Sequence, residues 1–107
     1  MSVLVDLTDK NFEEEIEIAG GPVFVDFWSN YCEPCKIQMP IVEEVAKEYS
    51  GKLKFGKLEA GDNPETPAKY QIMSIPALAV FQNGKLLQLK IGLQSKESIK
   101  KMLDSVL

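Results

Sequence analysis

The segment that most constrains the fold is an apolar hexapeptide that leads, through a short loop, into an amphipathic helix. Val23 to Trp28 is apolar at every position except Asp26, a pattern typical of a strand covered on both faces of a parallel sheet. Beyond it, apolar side chains recur at helical spacing, at Ile37, Ile41, Val45 and Tyr49. Pro34 suits the first turn of this helix, and Pro40 is expected to kink it. The sequence therefore predicts a strand followed closely by a helix, with the two cysteines at the junction.

Further strands are predicted on both sides of this unit. Short apolar runs indicate strands at Val3 to Val5, Leu53 to Leu58, Ala77 to Phe81 and Leu86 to Ile91. Between the last two runs, Asn83-Gly84 is a strong signal for a hairpin turn, so those strands should be antiparallel.

Three more helices complete the predicted order. Thr8 and Asp9 are expected to begin the first helix, Asn63 to cap a short one, and Ser95 to cap the last. The inner stripe of the last helix is predicted to hold Ile99, Leu103 and Leu107. The order β-α-β-α-β-α-β-β-α predicts an α/β fold with a mixed sheet. With 107 residues, the chain should form a single domain spanning residues 1–107.

Composition excludes several classes of function. The net charge is −4 and all 12 basic residues are lysine, so neither nucleic acid nor an anionic membrane surface is an expected partner. The absence of histidine excludes Ser-His-Asp triads, Cys-His nucleophiles and His-ligated metals. No apolar run is long enough to span a membrane, and the first residues do not resemble a secretory signal. A cytoplasmic location is therefore expected.

Cys32 and Cys35 are the only cysteines, and their spacing places both on one face at the start of a helix. They lie within bridging distance, but a bond closing so short a loop restrains the unfolded chain by only about 2 kcal/mol. A redox pair is therefore favoured over a structural disulfide. Cys32 at the helix N-terminus faces unpaired N–H groups that stabilise a thiolate, which makes it the expected nucleophile. Cys35, one turn further in, is expected to be more buried and to resolve the mixed disulfide.

Two alternatives to a redox pair remain open from the residues. A closed zinc site needs four ligands, so two cysteines could form one only in a dimer that pools them. The thiols could also be inert and buried. Asp26, within an apolar strand, is expected to be partnered or functional, unless it lies exposed at the strand end.

The chain resembles the thioredoxin family over nearly its whole length. The similarity is carried by Phe24-Val25-Asp26-Phe27-Trp28, Cys-x-Pro-Cys-Lys, Lys57-Leu58, Asn63-Pro64, Ile75-Pro76, Phe81-x-Asn83-Gly84 and Gly92. The resemblance implies a thioredoxin fold, with a central five-stranded mixed sheet and two helices on each face. It implies reduction of protein disulfides, with electrons returned by thioredoxin reductase or an equivalent donor, and no cofactor besides the Cys32–Cys35 disulfide. A monomer is expected.

The resemblance also assigns roles to individual residues. Asp26 matches the family's buried acid, thought to help deprotonate Cys35, and Lys57 matches the lysine beside that acid. Pro76 matches a cis-proline that faces the cysteines. The backbone at Ile75 would pair with an extended substrate segment. The implied docking surface is formed by Trp28, Tyr31, Glu33, Pro34, Ile75, Pro76 and Gly92.

The chain departs from the family pattern close to the cysteines. Glu33 stands where the family usually has glycine, and its carboxylate is expected to disfavour the Cys32 thiolate and acidic targets. Tyr31, Gly61 and Ser74 are further departures near the expected docking surface. Two other interpretations remain open: a specialised disulfide exchanger or isomerase, and a binding module of this fold without redox turnover.

Overall fold

The computed structural model describes residues 3–107 and has five strands and four helices, which confirms the predicted α/β fold. The elements are β1 (Val5–Leu7), α1 (Phe12–Ile18), β2 (Val23–Trp28), α2 (Glu33–Glu48), β3 (Lys54–Glu59), α3 (Glu65–Lys69), β4 (Ala77–Gln82), β5 (Lys85–Ile91) and α4 (Lys96–Asp104). The predicted domain of residues 1–107 begins two residues earlier, outside the described part of the chain.

All five strands form one mixed sheet, in the spatial order β1-β3-β2-β4-β5. The strands β1, β3 and β2 run parallel, β4 is antiparallel to β2, and β5 is antiparallel to β4. The strand β2 therefore lies at the centre, which is why its side chains can be apolar on both faces. The register places Asp26 opposite Lys57 on one side and opposite Leu78 on the other.

Each face of the sheet carries its own apolar core. On one face, Phe24, Leu78 and Val80 pack with side chains of α2 and α4. On the other face, Val25, Phe27 and other strand residues pack with α1 and with the segment that follows α3. Because side chains alternate along a strand, Asp26 lies on the face that α2 covers. The placement of α2 and α4 on one face and of α1 on the other agrees with the implied fold.

Several predicted element starts are displaced in the structure, those of β3 and β5 by a single residue. The first strand begins at Val5 rather than Val3, and α1 begins at Phe12 rather than near Thr8. Asn63 does not cap α3; instead the Asp9 carboxylate accepts hydrogen bonds from the backbone N–H groups of Glu65 (3.1 Å) and Thr66 (2.8 Å). A side chain distant in sequence thus caps this helix, which no local pattern could indicate.

Two residues assigned to inner helical stripes are exposed. Ile37 on α2 is 57% exposed and Leu107 lies beyond the end of α4, so both predictions are wrong. Gln38 and Met102 occupy the buried positions instead. The helix α2 continues through Pro40 as one element.

The predicted turn at Asn83-Gly84 and the predicted cap at Ser95 are both confirmed. Asn83 and Gly84 have positive φ, and the Ser95 hydroxyl accepts from the N–H of Ser98 at 3.2 Å.

Candidate active site

The two cysteines lie where the central strand β2 leads into α2. Cys32 is the N-cap residue of α2 and Pro34 occupies its first turn, where a missing N–H has no cost. Cys32 and Cys35 form a disulfide, with their Cα atoms 5.2 Å apart. The predicted pairing is therefore present in the structure, at the terminus of a 16-residue helix.

The environment of Cys32 favours an anion on its sulfur. Its Sγ accepts a hydrogen bond from the backbone N–H of Cys35 at 3.2 Å, as a side-chain cap of the helix. Unsatisfied N–H groups and the positive end of the helix dipole also stabilise negative charge at this position. Cys32 is half-buried, whereas Cys35 is only 1% exposed. An accessible sulfur and a shielded one are the arrangement that stepwise exchange requires.

Asp26 is fully buried beneath α2, which excludes the alternative of an exposed strand-end residue. Within the described residues, neither carboxylate oxygen has a hydrogen-bond partner. Burial raises the pKa of Asp26 to about 7, and the positive charge of Lys57 on the neighbouring strand opposes part of that rise. The Nζ atom of Lys57 also lies 3.9 Å from a carboxylate oxygen of Asp6, on the edge strand β1. The buried acid can therefore change its protonation state near neutral pH.

Two loops beside α2 are joined to each other and to the helix. The Ile75–Pro76 peptide is cis, as expected. The Pro76 carbonyl accepts from the N–H of Gly92 at 2.8 Å, which couples the start of β4 to the end of β5. The buried amide of Gln38 on α2 donates to the Gln94 carbonyl (3.0 Å) and accepts from its N–H (2.7 Å). The loop after Gly92 is thereby held against the helix that carries the cysteines.

The residues of the implied docking surface differ in exposure. Tyr31 is 94% exposed, Pro34 and Glu33 are exposed, and Glu33 forms an ion pair with Lys36 at 3.3 Å. Ile75 is half-buried, and Pro76 is buried. Trp28 is half-buried, and within the described residues its indole Nε1 is buried without a partner. Tyr31 and Pro34 therefore offer apolar surface on either side of Cys32 in the chain.

Glu59, at the end of β3, organises the active-site loop but was not singled out from the sequence. Its carboxylate accepts from the backbone N–H of Asn30 at 3.0 Å and from that of Asp62 at 2.7 Å. These hydrogen bonds lower the pKa of Glu59. A Cβ atom at Gly61 would lie 3.0 Å from one of its oxygens, so glycine leaves room for this contact. The only sequence signal is a carboxylate at the end of a strand, which is too common to be specific.

No helix of the described chain is both long and apolar enough to cross a membrane. Among residues 3–107 there is also no group of three or more cysteine and carboxylate side chains placed to hold a metal ion.

Comparison with known proteins agrees with the geometry of the site. The thioredoxin family model matches residues 3–105. The thioredoxin of Buchnera aphidicola from Acyrthosiphon pisum is 46% identical, over 97% of this chain and 96% of the relative. The thioredoxin of Pseudomonas aeruginosa is 42% identical over 95% and 94%, and that of Staphylococcus haemolyticus is 44% identical over 94% and 95%. Thioredoxins reduce protein disulfides with a redox-active Cys-x-x-Cys pair and receive electrons from thioredoxin reductase. With this similarity across the whole fold and a Cys32–Cys35 disulfide at the start of α2, the chain belongs to the thioredoxin family of protein-disulfide oxidoreductases.

Proposed function

We propose that the chain reduces client proteins, meaning proteins whose disulfides it opens, in two exchange steps at Cys32 and Cys35. In the first step, the Cys32 thiolate attacks one sulfur of the client disulfide, forms a mixed disulfide and expels the other client sulfur as a thiolate. In the second step, Cys35 loses its proton and attacks the Cys32 sulfur. The Cys32–Cys35 disulfide forms, and the second client sulfur leaves and takes up a proton. Two electrons pass to the client.

Asp26 is proposed to accept the Cys35 proton, with Lys57 tuning its acidity. A buried carboxyl group with a pKa of about 7 exists in both protonation states at neutral pH. Its position on the sheet face covered by α2 supports this role, since Cys35 is the buried cysteine of that helix. Lys57 opposes the cost of the carboxylate charge and keeps the group able to ionise.

Client docking is proposed to involve the surface around Cys32. The Ile75 backbone before the cis-proline would pair with an extended client segment beside the scissile disulfide. Apolar contacts would come from Trp28, Tyr31, Pro34, Ile75, Pro76 and Gly92. Glu33, at 83% side-chain exposure, would act against clients with acidic surfaces close to the disulfide.

The cellular setting is also a proposal. We propose a monomeric carrier in electron transport and cell redox homeostasis, folded as one domain over residues 1–107, with no metal or other cofactor. A cytoplasmic location suits a reductant, because dithiols stay reduced there. Nucleic acid and membranes are not proposed as partners, since a net charge of −4 without arginine attracts neither.

The observation that best supports this mechanism is the disulfide between an accessible N-cap cysteine and a buried one. The Cys35→Ser variant should stop after the first step and accumulate mixed disulfides with insulin that dithiothreitol releases. Cys32→Ser, the matched control, should form none. If the parent protein reduces insulin, the separated insulin chains precipitate, and this result supports a reductase over a binding module. Equal trapping by both variants would contradict the assigned order of attack.

A further inference from the structure

The strand β5 forms an open edge of the sheet and carries a stripe of exposed apolar side chains. Leu87, Leu89, Ile91 and Leu93 alternate along the chain and are 37% to 50% exposed. The register places Leu89 opposite Ala79 and Ile91 opposite Ala77, so both lie on the sheet face that carries α1. We name these four residues the edge stripe. An apolar stripe on an unpaired sheet edge is a common site for the addition of another strand.

The backbone of β5 offers hydrogen bonds to such a strand. Because the N–H of Gly92 bonds to Pro76, alternation along an antiparallel ladder directs the polar groups of Lys90 towards β4. By the same alternation, the N–H and C=O groups of Leu89 and Ile91 point away from β4, towards the open edge. The Ile91 carbonyl is already engaged by the side chain of Gln94 at 3.3 Å. The N–H and C=O groups of Leu89 and the N–H of Ile91 therefore point to the open edge, where an added strand could bond to them.

Charge along this edge favours an acidic partner and opposes a second copy of the chain. Residues 85–96 contain three lysines and no acidic residue, in a chain whose net charge is −4. Of these lysines, Lys96 is already paired with Glu44 and Glu48, which leaves Lys85 and Lys90 along the strand. Two copies paired through β5 would bring these lysines together, and lysines on an edge strand oppose such pairing.

The edge stripe is continuous with the redox site. Gly92 lies between Ile91 and Leu93, and its N–H bonds to the carbonyl of the cis-proline Pro76. A client segment held at Ile75 could therefore continue along the same side of the molecule towards Leu89.

We propose that β5 binds a client segment next to the disulfide, and that this segment is extended and alternates apolar and acidic residues. The apolar residues contact the edge stripe, and the carboxylates face Lys85 and Lys90. This proposal rests on the proposed function, because the client disulfide must lie at Cys32 at the same time. The docking surface around Cys32 would not select such a client by itself, because Glu33 acts against acidic residues close to the disulfide. The acidic residues of the client would instead be recognised at β5, away from Glu33.

The test uses three peptides with the same disulfide-closed head and different tails. One tail alternates valine and glutamate, one alternates valine and lysine, and one alternates glycine and serine. Single-turnover reduction by the pre-reduced protein gives a second-order rate constant for each peptide. We expect the valine–glutamate peptide to react about tenfold faster than the glycine–serine peptide, equivalent to about 1.4 kcal/mol. The valine–lysine peptide should react at least about threefold more slowly than the valine–glutamate peptide, and high salt should reduce that difference.

Two variants separate the stripe from the redox chemistry. Leu87→Thr/Leu89→Thr should remove the tenfold advantage and leave the glycine–serine rate unchanged, because threonine suits an exposed strand. Val5→Thr, at a 37% exposed residue on the opposite edge strand, is the matched control and should change neither rate. Equal rates for all three tails in the parent protein would overturn the proposal. Failure to reduce the glycine–serine peptide would instead contradict the proposed function. A concentration-dependent dimer that the double variant abolishes would also overturn the proposal, by assigning the edge to a second copy.

Discussion

Replacing Asp26 by asparagine removes an ionisable group from the apolar interior while keeping the shape of the side chain. Asp26 is fully buried beneath α2 and has no hydrogen-bond partner within the described residues. Its negative form is therefore poorly solvated, and the charge of Lys57 on β3 offsets part of this cost. We expect the Asp26→Asn variant to be more stable than the parent protein at neutral and alkaline pH.

The size of the effect follows from the two pKa values. The pKa of Asp26 rises from 3.8 to about 7 on folding. Between these values, the folded protein keeps a proton that the unfolded chain has released, so a rise in pH favours unfolding. Below pH 4 the Asp26 carboxyl group is protonated in both the folded and the unfolded parent, so it causes no loss of stability relative to the variant. As pH rises from 4 to about 7, the free energy of unfolding of the parent falls relative to that of the variant. Above that pH the loss is complete, and relative to acidic pH it amounts to about 4 kcal/mol for a gap of about three pKa units.

Urea denaturation of the oxidised proteins between pH 4 and pH 9 measures this difference. The oxidised state is used because a disulfide removes the titration of both thiols. Urea is preferred to guanidinium because it does not screen charge. Asp62→Asn, at an exposed residue, is the matched control and should not reproduce the pH dependence. Carboxyl-carbon NMR of Asp26 gives the pKa of the folded state directly.

The result that would refute this reasoning is a constant difference in unfolding free energy between parent and variant across the whole pH range. Lys57→Met provides an independent arm. Without the lysine charge, the pKa of Asp26 should rise further, and the fall in stability should extend to higher pH. A lower pKa in this variant would contradict the assigned role of Lys57.

Three further predictions concern the loop and the helices. Glu33→Gly should speed the alkylation of reduced Cys32 by iodoacetamide at pH 7, because a negative charge near the thiolate is removed. The increase should be no more than about threefold, since Lys36 already offsets part of the Glu33 charge. A slower reaction would contradict the expected repulsion. Glu59→Ala should lower the free energy of unfolding by about 1 kcal/mol and slow insulin reduction, since the backbone N–H of Asn30, in the loop before α2, and that of Asp62, in the loop after β3, lose their acceptor. Unchanged urea curves and rates would exclude this role. Ser95→Ala should cost about 1 kcal/mol in the same denaturation assay by removing the α4 cap, whereas Ser95→Thr should retain most of it.

The elements that could be predicted from sequence are those set by short-range patterns. The apolar run of β2, the Asn83-Gly84 turn and the Ser95 cap each depend on neighbouring residues, and each is found as predicted. The position of Asp26 in an apolar strand indicated a buried acid, because alternation within a two-faced sheet leaves it no route to solvent.

The features that could not be predicted depend on contacts between distant residues. The capping of α3 by Asp9 joins residues more than 50 positions apart, and Asn63 was the local alternative. Gln38 occupies an inner position of α2 because its amide bonds to the Gln94 backbone, so a polar residue is buried where the apolar spacing favoured Ile37. The role of Glu59 likewise depends on a loop that only the folded sheet brings within reach.

The reciprocal amide bonds between Gln38 and Gln94 have a consequence for how clients are bound and released. They fix the loop after Gly92 to the helix that carries both cysteines, so these parts should move together as a rigid body. A rigid template loses little conformational entropy when a client attaches, and the ordering cost falls on the client. Clients that are locally unfolded around their disulfide would then gain entropy when they dissociate, which favours rapid release and repeated turnover.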